Sequence, residues 1–191
     1  MSALSIRRRI TARRLLRDVT VHPEKQFGSW ADDTWAEARD RYGFVARRDA
    51  DMLNLFYRNF PHVTRLRVTR AGKNIGWVCT TMAEPTSAAT QGEFGKLCVG
   101  LISDGFGTPE NAPALLAAAM RYVQERGADL VVTNQIHPAW IAALRPLGFI
   151  KRPTNFFFGF SKKIAARLSG EIASGGVLLN RGDCDGPPRW A

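Results

Sequence analysis

Residues 94–134 read FGKLCVGLISDGFGTPENAPALLAAAMRYVQERGADLVVTN, and the elements of this stretch decide the fold. The apolar run at 94–103 predicts a strand, and the Gly- and Pro-containing residues 104–111 predict a loop. Residues 112–126 are rich in Ala and Leu, so they predict the longest helix of the chain. The all-apolar residues 130–132 then predict a short strand of the fully buried, parallel type. Strand, helix and strand in this order predict a parallel crossover.

The residues before this stretch predict two helices and a β-hairpin. Residues 29–41 predict a helix with Ser29 as its N-cap, and residues 49–59 predict a second helix. Alternating apolar residues at 63–69 and 75–82 flank a tight turn, as expected for two antiparallel strands.

The residues after this stretch complete one domain. We expect a short helix at 138–144 and an aromatic-rich strand at 149–160. The order of elements predicts an α/β (α+β) fold, with a mixed, mostly antiparallel central sheet and helices on both faces. We expect a basic N-terminal arm at 1–27, a single domain at 28–162 and a C-terminal tail at 163–191.

The composition excludes several classes of protein. Hydrophobic residues make up 45% of the chain, which is ordinary for a globular domain and excludes collagen, coiled coil and wholesale disorder. No apolar run reaches the roughly 18 residues of a membrane span, and we expect no secretory signal after the arginine-rich start. Because 27 Lys and Arg face 17 Asp and Glu, the net charge is +10. This charge favours an anionic partner, such as a phosphate-bearing cofactor, nucleic acid or an acidic surface.

The three cysteines, Cys79, Cys98 and Cys184, predict neither a disulfide framework nor a zinc site, because their number is odd and no CxxC pair occurs. Cys79 and Cys98 lie in apolar runs and are expected to be buried. A reducing, cytoplasmic location is the expectation that fits free thiols. We expect no other metal site, since the sequence DCDG at 183–186 lacks the distal glutamate of a calcium loop.

Three segments resemble the GNAT acyltransferase superfamily. The run from Val131 to the closing Gly148-Phe149 is similar to the family's strand, short helix and Gly-Phe unit. The sequence IGWV at 75–78 looks like part of the strand pair that precedes the family's cofactor strand. The sequence RDADMLN at 48–54 is similar to a segment of two-lobed GNAT-like proteins, whose C-terminal half the chain resembles. A homodimer or a separate partner lobe is the expected way to complete such a chain.

The resemblance implies an N-acyltransferase that carries an acetyl or longer acyl group from an acyl-CoA or carrier-protein thioester to an amine. In such a fold the thioester arm adds beside a strand that splays from its neighbour, here near position 100. The following loop presents backbone N–H groups to the pyrophosphate. The resemblance therefore implies acetyl-CoA or another acyl-CoA as co-substrate. The residues expected to bind it are Cys98, Val99, Gly100, Leu101, Ile102, Gly105, Gly107, Asn111 and Ala112.

The candidate catalytic residues are His137 and Asp104. Amine acylation needs one group that takes the amine proton and one that protonates the leaving thiolate. His137 titrates near neutral pH and stands where the family has an asparagine, so it is the leading acid or base candidate. The alternative is an exposed loop histidine before Pro138 that contacts nothing. Asp104 ends the predicted central strand and is expected to orient the amine; the alternative is a carboxylate that favours the dipole of the next helix. Asn134 and Trp140 are the expected substrate contacts.

Two departures from the family keep a second function open. Leu144 stands where the family often has a proton-donating tyrosine, and Glu110 stands at a glycine position of the pyrophosphate loop. A non-catalytic GNAT-like binding module that acts with a partner protein is the alternative. Nucleic-acid binding by the arginine-rich arm ranks third, because no helix-turn-helix, RRM or zinc signature accompanies it.

Overall fold

The computed structural model describes residues 10–83, 96–153, 159 and 161–183. The strands, in chain order, are β1 (Val19–Glu24), β2 (Phe44–Val45), β3 (Thr64–Arg70), β4 (Lys73–Ala83), β5 (Val99–Phe106), β6 (Leu130–Thr133) and β7 (Val177–Leu178). The α-helices are α1 (Ser29–Ala38), α2 (Ala50–Tyr57), α3 (Ala112–Gln124), α4 (Pro138–Leu147), α5 (Lys162–Arg167) and α6 (Ser169–Ser174). A further helical segment covers residues 10–15, within the basic arm.

Five strands form the central sheet in the order β1-β3-β4-β5-β6. All neighbours in this sheet are antiparallel except β5 and β6, which are parallel. The predicted hairpin is β3–β4, and it turns at Ala71 and Gly72, whose φ angles of 48° and 79° fit a tight reversal. The predicted crossover runs from β5 through α3 to β6. The fold class expected from the sequence is therefore confirmed.

Helices cover both faces of this sheet. On one face, a Cβ at Gly100 would lie 2.7 Å from Val123, so the missing side chain lets α3 pack directly on β5. On the other face, below α1 and α2, the ring of Trp77 lies 5.1 Å from Phe27 and 6.4 Å from Phe106, centroid to centroid. These three aromatic side chains are buried and join the sheet to the helical layer.

Two strands, β1 and β7, lie in segments that were predicted as a basic arm and a tail. Two of the predicted strands also differ in extent or burial. β5 continues to Phe106 instead of ending at Ser103, because Phe106 pairs with Trp77 of β4 and is fully buried. Asp104 and Gly105 are therefore strand residues and not loop residues. β6 is half-buried instead of fully buried, since it is the last strand of the sheet in the part of the chain that the structure describes.

Local capping sets the helix boundaries. The N-cap of α1 is Gly28 and not Ser29, which is the first helical residue; the cap makes no side-chain hydrogen bond. Asp49 caps α2 by accepting a backbone N–H from its first turn. α4 extends past the predicted end to Leu147 and stops at Gly148, whose φ of 91° lies in the left-handed region that glycine adopts at little cost.

The C-terminal residues fold back onto the sheet. β7 pairs in parallel with β2, and its two residues, Val177 and Leu178, are buried. The predicted strand at 149–160 is irregular at 149–153, and nearly all of its remainder lies outside the described residues. Among the helices that the structure describes, none is both long and apolar enough to cross a lipid bilayer.

Candidate active site

β5 and β6 diverge halfway along β5. Residues 99–102 of β5 pair in parallel with residues 130–133, and the pairing stops there. Residues 104–106 continue the strand and, among the described residues, pair with β4 alone, while Ser103 lies at a register shift. The register between β4 and β5 shifts at the same level, between Cys79 and Thr80. Among the described residues, the second half of β5 therefore has no strand partner on the β6 side, and Gln135, just after β6, pairs with Asn180 instead; we call this position the gap.

Asn180, from the C-terminal segment, fills this gap. Its backbone forms an isolated antiparallel bridge with Gln135, just after β6. Its side-chain Nδ2 donates to Asp104 Oδ1 at 2.9 Å and to the carbonyl oxygen of Gly105 at 3.0 Å. Asn180 is fully buried. The chain itself therefore occupies the place where the sequence predicts a thioester arm.

A buried arginine and two carboxylates meet at the same point. Arg48 is 2% exposed, and its Nη2 donates to Asp104 Oδ1 at 3.1 Å and to Asp183 Oδ2 at 2.5 Å. Burial lowers the pKa of Arg48, but the two carboxylates raise it more, so the guanidinium stays charged. Burial and the nearby Asp104 raise the pKa of Asp183, although Arg48 opposes them. One positive charge thus faces two carboxylates in a region shielded from water.

Tyr57 completes the surroundings of Asp104. Its hydroxyl donates to Asp104 Oδ2 at 2.8 Å, and the backbone N–H of Gly105 donates to Oδ1 at 2.8 Å. Burial and the adjacent carboxylate raise the pKa of Tyr57 well above its usual value, so the hydroxyl remains a donor. Asp104 is 3% exposed and is bonded at both oxygens. A substrate reaches this carboxylate only after one of its donors moves.

The residues expected to bind acyl-CoA fall into two groups. Those at 99–102 pair with β4 on one side and with β6 on the other, so their backbone is already engaged. Cys98 precedes them and is only partly buried, which corrects the expectation of a buried thiol; Cys79 is buried as expected. The backbone released by the divergence belongs to residues 103–106.

The second group, Gly105, Gly107, Asn111 and Ala112, leads into the N-terminus of α3. The carbonyl of Gly107 accepts from the Tyr42 hydroxyl at 2.6 Å, and Asn111 Nδ2 donates to a carbonyl of β4 at 3.3 Å. Ala112 is fully buried. The protein's own groups therefore hold this loop in a compact form.

Glu110 places a carboxylate at the N-terminus of α3. Hydrogen bonds from its own backbone N–H and from the Thr108 side chain lower its pKa, and so does Arg41, with which it forms an ion pair at 2.5 Å. A helix N-terminus stabilises a carboxylate through the same N–H groups that would bind a phosphate. Glu110 therefore opposes a pyrophosphate at this position.

His137 and Trp140 have structural roles in this conformation. His137 is the N-cap of α4, and its Nδ1 accepts the backbone N–H of Ala139 at 3.3 Å. That bond uses the lone pair that a base would need, and burial lowers the pKa of His137, so the ring is neutral at pH 7. Trp140 is fully buried, and its Nε1 donates to the Tyr42 hydroxyl at 3.0 Å. It is a core residue packed against Gly105 and does not face a substrate.

Asn134 follows β6, and its side-chain oxygen is buried with no hydrogen-bond partner among the described residues. The sequence did not assign four other side chains to the site, namely Arg48, Tyr57, Asn180 and Asp183. Their local sequence carries no signal for this role, because Asp183 lies 135 positions from Arg48 and only the fold joins them.

No family model matches the chain, and neither does any curated protein. Similar solved structures exist. A transcriptional regulator from Bacillus halodurans C-125 is 16% identical, with 74% of this chain and 99% of that chain aligned at a TM-score of 0.50. An aminoglycoside acetyltransferase from an uncultured soil metagenomic sample is 11% identical, with coverage of 75% and 97% and a TM-score of 0.49. A ribosomal-protein-alanine N-acetyltransferase from Brucella melitensis biovar Abortus 2308 is 13% identical, with coverage of 75% and 100% and a TM-score of 0.49.

At 16% identity, the likeness to the transcriptional regulator concerns the fold alone. The sheet order, the parallel crossover through α3 and the divergence of β5 from β6 agree with the resemblance inferred from the sequence. The architecture expected from that resemblance, a mixed and mostly antiparallel sheet with helices on both faces, is the architecture of this chain.

Proposed function

We propose that the chain is an N-acyltransferase of GNAT type, which transfers an acetyl or longer acyl group from a thioester to an amine. The observation that carries this proposal is the divergence of β5 from β6 beside the buried carboxylate of Asp104. Backbone groups at residues 103–106 lose a parallel partner there. An extended thioester arm finds hydrogen-bonding groups in that gap once Asn180 leaves it.

The donor is a thioester on a pantetheine arm. In this proposal β5 recognises the arm itself, and no pyrophosphate is needed for binding. An acyl-CoA and an acylated carrier protein share the pantetheine arm, but only the first has a pyrophosphate, which Glu110 opposes. The net charge of +10 also favours an acidic carrier protein. We therefore expect acetyl-pantetheine to react nearly as well as acetyl-CoA. Glu110→Gln should improve kcat/KM roughly 2- to 5-fold for acetyl-CoA and leave acetyl-pantetheine unchanged.

The reaction joins the amine nitrogen to the carbonyl carbon of the thioester. The C–N bond forms, the C–S bond breaks, and the thiolate leaves with the bonding electron pair and takes a proton from solvent. The amine loses one proton, and Asp104 is the group placed to accept it. The N–H that Asn180 donates to Asp104 marks the position that an amine N–H would take. Backbone N–H groups of residues 103–106 that face the arm would polarise the thioester carbonyl.

Acyl transfer to a set of amines tests the proposal. Asp104→Asn keeps the shape of the side chain but not its basicity, and we expect the rate to fall by about 10²-fold or more. His137→Asn keeps an N-cap for α4, so it should retain most of the rate, whereas His137→Ala loses the cap. If His137→Asn is slowed as much as Asp104→Asn, His137 takes part in proton transfer. Turnover of no thioester with any amine would overturn the proposal.

A binding module that acts with a partner protein is the second candidate. The observation that favours it is the burial of Asn180 in the gap, since a chain that never opens this gap binds no thioester. Calorimetry with acetyl-CoA and acetyl-pantetheine separates the two functions. The full chain and a chain that ends at Leu179 are compared, and a lack of binding by both favours the module.

A further inference from the structure

The turn at residues 180–183 brings a nitrogen donor and a carboxylate into the site side by side. Asn180 Nδ2 donates to Asp104 Oδ1 at 2.9 Å. Asp183 Oδ2 accepts from Arg48 Nη2 at 2.5 Å and from the backbone N–H of Asn180 at 2.7 Å. The turn therefore presents an N–H group to Asp104 and a carboxylate to Arg48.

Two buried polar atoms of this arrangement stay unsatisfied. Arg48 Nε and Asn180 Oδ1 have no hydrogen-bond partner within the part of the chain that the structure describes. Arg48 is 2% exposed, so its guanidinium is shielded from bulk water. An arginine and a carboxylate usually pair through two parallel N–H···O bonds, and Asp183 meets the guanidinium through one oxygen. A better-fitting carboxylate would satisfy Nε as well.

The two carboxylates lie close together. A single nitrogen, Arg48 Nη2, contacts both Asp104 and Asp183, which places them within two hydrogen bonds of each other. A small molecule that replaced the turn would put its nitrogen on Asp104 and its own carboxylate on Arg48. Only a short carbon spacer fits between these two groups.

We propose that the acceptor is an amine with a carboxylate close to its nitrogen, as in an α-amino acid, and that the turn at 180–183 occupies its place until it binds. Arg48 is then the residue that selects the carboxylate, and Asp104 receives the nitrogen. The inference rests on the proposed function, because only acyl transfer makes the bound amine an acceptor.

The proposal requires that the turn leaves while the rest of the domain stays folded. The buried residues 177–179 anchor the segment, and β7 pairs there with β2. The turn at 180–183 directly follows this anchor. Its displacement breaks polar contacts to Asp104 and Arg48 and leaves the apolar anchor in place.

The first test asks whether a free amino acid binds where a carboxylate of the chain has been removed. Asp183→Ala removes one partner of Arg48, and we expect free glycine to raise the Tm of this variant by about 3–6 °C at roughly ten times its Kd. Glycinamide, which lacks the carboxylate, should raise it far less. Asp40→Ala is the matched control, since it removes an exposed carboxylate paired with Arg39. If Asp183→Ala does not fold, Asp183→Asn takes its place. Equal shifts with glycine and glycinamide, or equal shifts in the control variant, overturn the inference.

Acyl transfer by the same variant tests the second half. We expect glycine to be acylated at least roughly 10-fold faster than glycinamide, as for a charge-assisted bond to a buried arginine. Equal rates of acyl transfer to glycine and glycinamide would refute the inference but would still support the proposed transferase function. If glycine raises the Tm more than glycinamide but no thioester acylates it, the carboxylate site is supported and the proposed function is refuted.

Discussion

Arg48→Met removes the positive charge that Asp104 and Asp183 share in the interior. The side chains of these three residues are 2%, 4% and 11% exposed, so water cannot solvate the carboxylates left behind. Loss of one partner from a buried ion pair costs about 3–5 kcal/mol, out of a total of about 5–15 kcal/mol for a domain. At about 2–4 °C per kcal/mol for a chain of this size, we expect the Tm to fall by about 6–20 °C.

The adjacent Arg47 provides the control. Its side chain is 62% exposed and forms an ion pair with Asp49, so Arg47→Met should cost at most about 1 kcal/mol. Thermal and urea unfolding, followed by circular dichroism, measure both variants. Equal losses in the two variants would refute the buried-charge reasoning, and so would a loss below about 1 kcal/mol in Arg48→Met.

The same variants carry a pH signature. Arg48 opposes the rise in the pKa of Asp183, so its removal raises that pKa further. A group whose pKa is higher in the folded than in the unfolded state stabilises the fold at a pH below its unfolded-state pKa. This contribution is lost as the pH rises through its folded-state pKa. The stability gap between wild type and Arg48→Met should therefore narrow as pH falls from 7 to 5. A constant gap would contradict the assignment.

Three further predictions concern single side chains. Gly76→Ala should cost roughly 2–4 kcal/mol, because φ is +143° and the new Cβ would lie 2.4 Å from the carbonyl oxygen of Phe106. Gly72→Ala, with a φ of +79° and open space around it, should cost about 1–2 kcal/mol in the same urea titration; a reversed order would contradict the structure. Tyr42→Phe leaves a buried carbonyl and the indole N–H of Trp140 unpaired, so unfolding in urea should show a loss of about 1–3 kcal/mol. Burial raises the pKa of Asp183, so wild type should gain stability relative to Asp183→Asn as pH falls from 7 to 4, and parallel pH profiles would refute this.

The fold was accessible from the sequence because its signals are local. Three of these signals depend only on neighbouring residues. They are the Ala- and Leu-rich run that forms α3, the turn at Ala71 and Gly72, and the left-handed cap at Gly148. The order of these elements then restricts the sheet to few topologies. The predicted end of a strand was wrong where contacts with residues distant in the sequence set it. β5 continues to Phe106 because residues 104–106 pair with β4 and are buried under α1 and α2.

The site was only partly accessible. Asp104 was chosen as a candidate from its place near the end of a strand, and the structure places it at the centre of a buried hydrogen-bond network; its catalytic role stays a prediction. His137 was chosen for its chemistry, but the structure uses its ring as a helix cap. Trp140 was expected to contact substrate and instead lies in the core.

The sequence by itself predicted the β3–β4 hairpin and the crossover from β5 through α3 to β6, and hence a mixed sheet. The diverging strands were implied by the resemblance, and β1 and β7 were not predicted. Only the tertiary structure decided what stands in the gap. Asn180 and Asp183 meet Asp104 and Arg48 across 76 and 135 positions of chain. Hydrophobic periodicity reports which face of an element is buried, and it carries no information on which distant polar group will satisfy a charge in the interior.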